Sequence, residues 1–248
     1  LPHMVSLYLL SMSLVLIAAQ HYGVAASGRI QLALLVGTAP NVITSSLNNS
    51  WAPAIFSTDE AHRGAVLEHT ARDIAMLASL VSSGVALLSP WLLMLVASHA
   101  YSPNQLVPAV CVVCVGSMIS VAYLANVQLV FASGKPYGLS FITPISLIVG
   151  VVAAFALGQI SLTAVASGFP IAYATLGGGV ALLRRRIDAP RWRETRLVPA
   201  FVVGAVFIAL GAALPASGWW AVPRWPIAVA AGVLLLLTVR RVLRPAAA

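Results

Sequence analysis

Apolar residues come in eight long runs, separated by short polar breaks: 4–20, 29–56, 72–98, 105–132, 137–157, 160–183, 197–216 and 225–243. A helix needs ~20 apolar residues to cross ~30 Å of hydrocarbon. Lipid leaves open strands with unsatisfied backbone groups, so runs of this length and spacing predict helices. The pattern therefore predicts an all-α polytopic membrane bundle of about eight transmembrane helices. The second run is too long for a simple span and contains Pro40, which predicts a kink. The third run has Pro90 near its far end. Ser57-Thr58-Asp59-Glu60 stands before it with the spacing of a capping box. A polar helical turn over 58–72 is expected to lead into the third run at the membrane surface. The first run lacks the basic n-region and cleavage site of a signal peptide and reads as a retained span. The chain opens Leu1-Pro2-His3-Met4 with no initiator Met at position 1, as expected of a fragment or truncated product.

Composition strengthens this picture. Hydrophobic residues make up 60% of the 248 positions and charged residues 8%, with a mean hydropathy of +0.96. Soluble domains hold ~45–50% apolar and ~25% charged residues, so a soluble enzyme and a nucleic-acid-binding domain are excluded. The net charge of +8 has a different source from that of a nucleic-acid binder. With the loop at 184–196 placed in the cytoplasm, twelve of the fourteen Lys and Arg fall on the cytoplasmic side. Only Arg29 and Arg224 fall outside. The positive-inside rule then puts both termini in the cytoplasm, in a multi-pass protein of the cell's inner (cytoplasmic) membrane. The expected organisation is a six-helix bundle over 1–183, a basic cytoplasmic loop over 184–196, and a terminal helix pair with a basic tail over 197–248. No soluble domain fits in the loops.

Catalytic chemistry is sparse. All six acids (Asp59, Glu60, Glu68, Asp73, Asp188 and Glu194) fall in cytoplasmic segments, none deep in a span. His62 and His69 accompany four of them and read as a solvated helix face rather than a metal site. There is no G-x-S-x-G nucleophile motif. Cys111 and Cys114 sit in a Val-rich run, where packing is favoured over redox or metal chemistry. Neither an enzyme, a metal nor a cofactor is expected.

Polar residues within the spans say more, because lipid makes them costly. Asn41, Thr44, Ser45 and Asn48 share one face of the second run, with Gly37, and Asn49 follows. The fourth run carries Ser120, Tyr123, Asn126 and Gln128, with Tyr123 and Asn126 on a shared face, and the first run ends in Gln20. Two readings stay open: interhelical hydrogen bonding, or a hydrated cavity for a polar solute. Gly177, Gly178, Gly179, Gly204 and Gly211 suggest close helix packing. In the basic loop, Arg184, Arg185, Arg186, Arg191 and Arg193 are candidates for holding a lipid head group or pyrophosphate. The alternative is topogenic charge beside an interfacial Trp192.

Several features recur together. The second run ends Trp51-Ala52-Pro53-Ala54-Ile55-Phe56 before a charged turn, and the third ends Ser89-Pro90-Trp91-Leu92. Tyr101 and a proline precede the fourth run, and Gly134-Lys135-Pro136 separates it from the fifth. This order, over roughly residues 4–244, resembles the second half of polysaccharide and oligosaccharide-lipid flippases. These belong to the multidrug/oligosaccharidyl-lipid/polysaccharide exporter superfamily, with a MATE-like fold of two six-helix bundles. The resemblance implies that the first six runs form the second bundle and the last two an extra pair. The missing first six-helix bundle would come from a longer chain or a partner subunit. The implied substrate is a lipid-linked glycan or a polysaccharide, moved by alternating access. The implied cavity residues are Asn41, Thr44, Ser45, Asn48, Tyr123, Asn126, Gln20 and Arg29. Arg29 is the only cation near such a path, and no acid lies in a span for ion coupling. By position the last two runs could form a lipid groove. Competing readings are a non-catalytic membrane scaffold or assembly subunit, another small-solute exporter of the same superfamily, and a membrane glycosyltransferase or ligase. The last needs an acid or Arg on an outer loop, where only Arg29 and Arg224 stand.

Overall fold

A computed structural model describes residues 2–243 of the chain. The described residues are helical and contain no strand. The helices are α1 (Pro2–Tyr22), α2 (Val24–Gly37), α3 (Pro40–Phe56), α4 (Glu60–Val96), α5 (Val107–Ala132), α6 (Leu139–Gly158), α7 (Leu162–Val165), α8 (Gly168–Arg186), α9 (Val198–Ala213) and α10 (Arg224–Leu243). Arg244 and the rest of the basic tail lie outside the described residues.

Among the described residues six helical segments are long and apolar enough to cross a membrane, and they match the third to eighth apolar runs. The first two of the eight expected spans are not matched by a single helix of that kind among the described residues. The second run is broken into α2 and α3, which meet at 43° and make a seventh span if counted as one. The break falls at Thr38 and Ala39, directly before Pro40, which starts α3 at its first turn. Pro fits there because the first helical amides lack intrahelical partners anyway. In α1 the described apolar stretch, Tyr8–Tyr22, is shorter than a full span.

The polar stretch 58–72 is helical from Glu60 and leads straight into the third run, as expected. It is the start of α4, one helix of 37 residues. At ~1.5 Å per residue this is about 55 Å, well beyond the hydrocarbon thickness. The capping box does not form: Asp59 is the N-cap and makes no side-chain cap bond. Ser57 instead donates to the Ala54 carbonyl at 3.2 Å. Pro90 lies within α4 without ending it, and it deprives the Ala86 carbonyl of its helical donor. Ser89 Oγ supplies a replacement at 2.7 Å, with Cys111 Sγ approaching the same oxygen at 3.9 Å. Cys111 and Cys114 are buried free thiols, placed for packing.

α5 is the central helix. Its apolar residues run around its whole circumference, as suits a helix surrounded by others. It packs against α8, α4, α9, α2 and α3, while α1 lies on α2 and α6, and α10 leans on α4 at the rim. Glycines seat some of these contacts. A Cβ on Gly204 would meet Met118 Sδ and lie 2.8 Å from Ser79 Cβ, so α9 touches α4 and α5 closely there. The triplet in α8 behaves unevenly. Gly179 abuts Ile142 on α6, whereas Gly178 has open space where its Cβ would be.

The cationic segments converge. Arg63 donates to the Ala132 carbonyl at the end of α5, Arg196 pairs with Glu68 of α4, and Arg186 lies beside Gly138. These contacts join one end of the bundle, called here the arginine-rich end. At the other end Tyr22 meets Gly158 and Arg29 meets Gln105. Arg29 and the arginine-rich end thus stand at opposite ends of the bundle.

Candidate functional site

After the 43° bend between α2 and α3, a cavity of about 300 Å³ lies between α3, α5 and α8. Its α3 wall is Asn41, Thr44, Ser45 and Asn48. One side chain every three or four residues brings these four onto the face that looks at α5. The α5 wall presents Ser120, Tyr123 and Gln128, and α8 adds Tyr173. Phe131, near the last turn of α5, marks the edge toward the arginine-rich end. The walls thus offer amides, hydroxyls and two phenol rings, and no charged side chain. Such a set can exchange hydrogen bonds with a neutral polar solute, and the rings can stack on apolar ring faces.

The polar atoms are only partly engaged with one another. Gln128 Nε2 donates to Asn48 Oδ1 at 2.8 Å, a direct tie from α5 to α3. Thr44 is buried and donates back to the Pro40 carbonyl at 3.1 Å. Asn41 Oδ1 is buried without a protein partner. Ser45 is exposed, as are Ser46 and Asn49 on the same helix, within what the sequence marks as a span.

Three expected cavity residues lie elsewhere. Asn126 donates to Ala122 O at 2.9 Å, and its Oδ1 accepts from Trp192 Nε1 at 3.3 Å. Three residues fall about 60° short of a full helical turn, and α5 has neighbours on every side, so Tyr123 and Asn126 reach different partners. Gln20 is exposed at the far end of α1, where Tyr22 Oη binds the Gly158 carbonyl at 2.5 Å. Arg29 Nη2 donates to Gln105 Oε1 at 2.9 Å. It stands twelve residues before Asn41, about 18 Å along the helix path, so no cation enters the cavity from there. Tyr173 was not anticipated. It lies in a run read only for its glycines, and no spacing rule links α8 to α3 across more than a hundred residues.

The basic loop is folded onto the bundle. Trp192 is 7% exposed and packs among Ile55, Leu67 and Ala125, so it is a core residue and not an interfacial one. Arg184, at 2% exposure, donates to Pro190 O at 2.9 Å and pairs with Glu194 at 2.7 Å. Its guanidinium is therefore committed to closing the loop and is not open to a head group. Arg185 shares Glu194 from the exposed side at 2.7 Å. The Arg193 amide reaches Glu68 Oε2 at 3.3 Å. Arg186, Arg191 and Arg193 are exposed. His62 and His69 are exposed too, and no group of three or more metal-ligating side chains gathers among the described residues.

Comparison with family models, with curated proteins and with solved structures returned no match. The flippase resemblance rests on the order of residues in the chain alone.

Proposed function

We propose that the chain is one half of a membrane transporter that moves a polar solute by alternating access, with the cavity between α3, α5 and α8 as its half of the path. The observation that carries this reading is the polar wall: Asn41, Ser45 and Asn48 face Ser120, Tyr123 and Tyr173 around ~300 Å³ of space. Lipid tails would leave these groups without partners, at a cost of up to a few kcal/mol each. Water or a hydroxyl-rich solute would not. The substrate class implied by the resemblance, a lipid-linked glycan or polysaccharide, matches a wall of neutral donors and acceptors. A second six-helix bundle, from a longer chain or a partner subunit, would face α3 and complete the path. In this reading the helices cross the cell's inner membrane eight times, with the arginine-rich end and both termini in the cytoplasm. No catalytic residue and no cofactor is assigned.

The Gln128–Asn48 hydrogen bond favours a second reading, a scaffold whose polar residues only join helices. Solvent access separates the two. In the full-length protein in sealed vesicles, a cysteine at Ser45 is expected to react with a membrane-impermeant thiol reagent from the arginine-rich side. Asn41→Leu with Asn48→Leu is expected to lower transport of a labelled lipid-linked glycan ~5–30-fold, the equivalent of one or two lost hydrogen bonds. A Ser45 cysteine that reacts with no aqueous reagent from either side, together with unchanged transport, leaves only the scaffold reading.

A further inference from the structure

A second cavity lies at the arginine-rich end, apart from the α3 cavity. It is a cleft of about 380 Å³ between the first turns of α4, the 3-10 turn Glu194–Leu197 and the last turn of α10. Its lining includes Glu68, His69, Arg72, Asp73, Arg196 and Arg241. The three arginines come from segments far apart in the chain, so the fold and not local sequence assembles them. Glu68 is already occupied: Oε1 takes Arg196 Nε at 2.9 Å and Oε2 takes the Arg193 amide at 3.3 Å. Arg72 and Arg241 have no ion pair among the described residues, in contrast to Arg184, Arg185 and Arg196. Two forked cations thus face one cleft with a single uncommitted carboxylate, Asp73, between them and neutrality.

The depth of the cleft points to its occupant. Arg72 stands at the first residue of the third apolar run, and Arg241 near the last of the eighth. Both therefore sit at the boundary of the hydrocarbon layer. α10 is the rim helix and most of its apolar residues are exposed, so its outer side can meet lipid while the cleft beside it meets water. Guanidinium forks match the paired oxygens of a phosphate, and lipid phosphates occupy this depth.

We infer that this cleft binds a phosphate group through Arg72 and Arg241, with Arg196 held in place by Glu68. The site is separate from the transport path and does not depend on it. The phosphate belongs to an anionic lipid or to a soluble phosphate compound, and binding to the purified full chain in neutral detergent tells them apart. By native mass spectrometry, wild type is expected to retain phosphatidylglycerol and not diacylglycerol with the same tails. Arg72→Gln with Arg241→Gln is expected to weaken retention ~30-fold, at about fivefold for each cation. Lys135→Gln with Arg240→Gln removes the same charge at the same end but outside the cleft, and is expected to leave retention unchanged. Displacement of the lipid by millimolar inorganic phosphate keeps the site and assigns it to a soluble phosphate. Resistance to displacement assigns it to lipid. Should the glutamine pair fail to fold, Arg72→Lys with Arg241→Lys keeps the charge and loses the forks, and a partial loss is expected. Equal weakening by both glutamine pairs, full retention in the lysine pair, or no preference for phosphatidylglycerol in wild type overturns the inference.

Discussion

Arg224 is fully buried, with a guanidinium that donates only to carbonyl oxygens. Its Nη2 reaches Gly211 O at 2.7 Å and Leu214 O at 2.5 Å, Nε reaches Pro215 O at 2.9 Å, and Nη1 reaches Leu87 O at 3.2 Å. Three of these carbonyls belong to the end of α9 and the turn after it, where the helix leaves acceptors unpaired and the macrodipole favours a cation. The fourth belongs to α4. One side chain thus caps α9 and ties it to α4 at the base of α10. In the sequence Arg224 counts only as an outer-loop cation, because nothing local shows that its partners are carbonyls. Arg224→Met leaves several buried acceptors unpaired, and a stability loss of about 3 kcal/mol is expected by thermal unfolding in detergent. Arg224→Lys is expected to recover only part of it, since an ammonium cannot span four acceptors set around a fork. An unaltered melting point in the Met variant would remove Arg224 from this role. The same limit explains the α3 cavity: Asn41, Thr44, Ser45 and Asn48 were legible because helical period puts them on one face. Asn126 was misplaced because period fixes a direction and not the neighbour found there. That neighbour, Trp192, arrives from a loop 66 residues later.

At the scale of elements, apolar run length located every helix from α4 onward that is long and apolar enough to span, and Pro40 located the break between α2 and α3. Boundaries were less legible. The third run looked as if it began at Arg72, but α4 begins at Glu60, because its first turns gain support from the basic loop packed beside them. A Cβ on Gly64 would strike the Arg191 carbonyl, which shows how closely that loop lies on α4. Small residues were also read too uniformly. Gly204 is set into α4 and α5, against Ser79 and Met118, while Gly178 meets nothing within 4 Å. Gly204→Leu is therefore expected to cost about 1–3 kcal/mol through overpacking. Gly178→Leu is expected to stay near wild type, within roughly 0.5 kcal/mol. Parallel melting curves of the two variants check this, and equal losses would show that the contacts around Gly204 do not set the effect.

At the scale of the molecule, the number of crossings decides which side each terminus occupies. Six or eight crossings put both termini on one side, whereas seven put them on opposite sides. The deciding element is α1, whose described apolar stretch is short. Its packing favours a full crossing. Near its start, Ser6 lines a small cavity with Thr143, Ser146 and Tyr173, and its last residue, Tyr22, binds the Gly158 carbonyl. α1 therefore runs beside α6 from the arginine-rich end to the opposite end, over nearly the full depth of a helix that is itself long enough to span. The proposed eight crossings require α2 and α3 to return together to the arginine-rich end. Single cysteines introduced at the exposed positions Val5, Lys135, Arg191 and Arg240 are all expected to react with an impermeant reagent from the cytoplasm. Cysteines at Ser102 and Ser217 are expected to react only from outside, and the native Cys111 and Cys114 are buried and should stay silent. Labelling of Val5 from outside with Arg240 still inside would mean seven crossings, and α1 would then have to lie against the bundle without spanning. Labelling of Arg191 from outside would invert the whole bundle. It would place eleven described cations on the side that the positive-inside rule assigns to few.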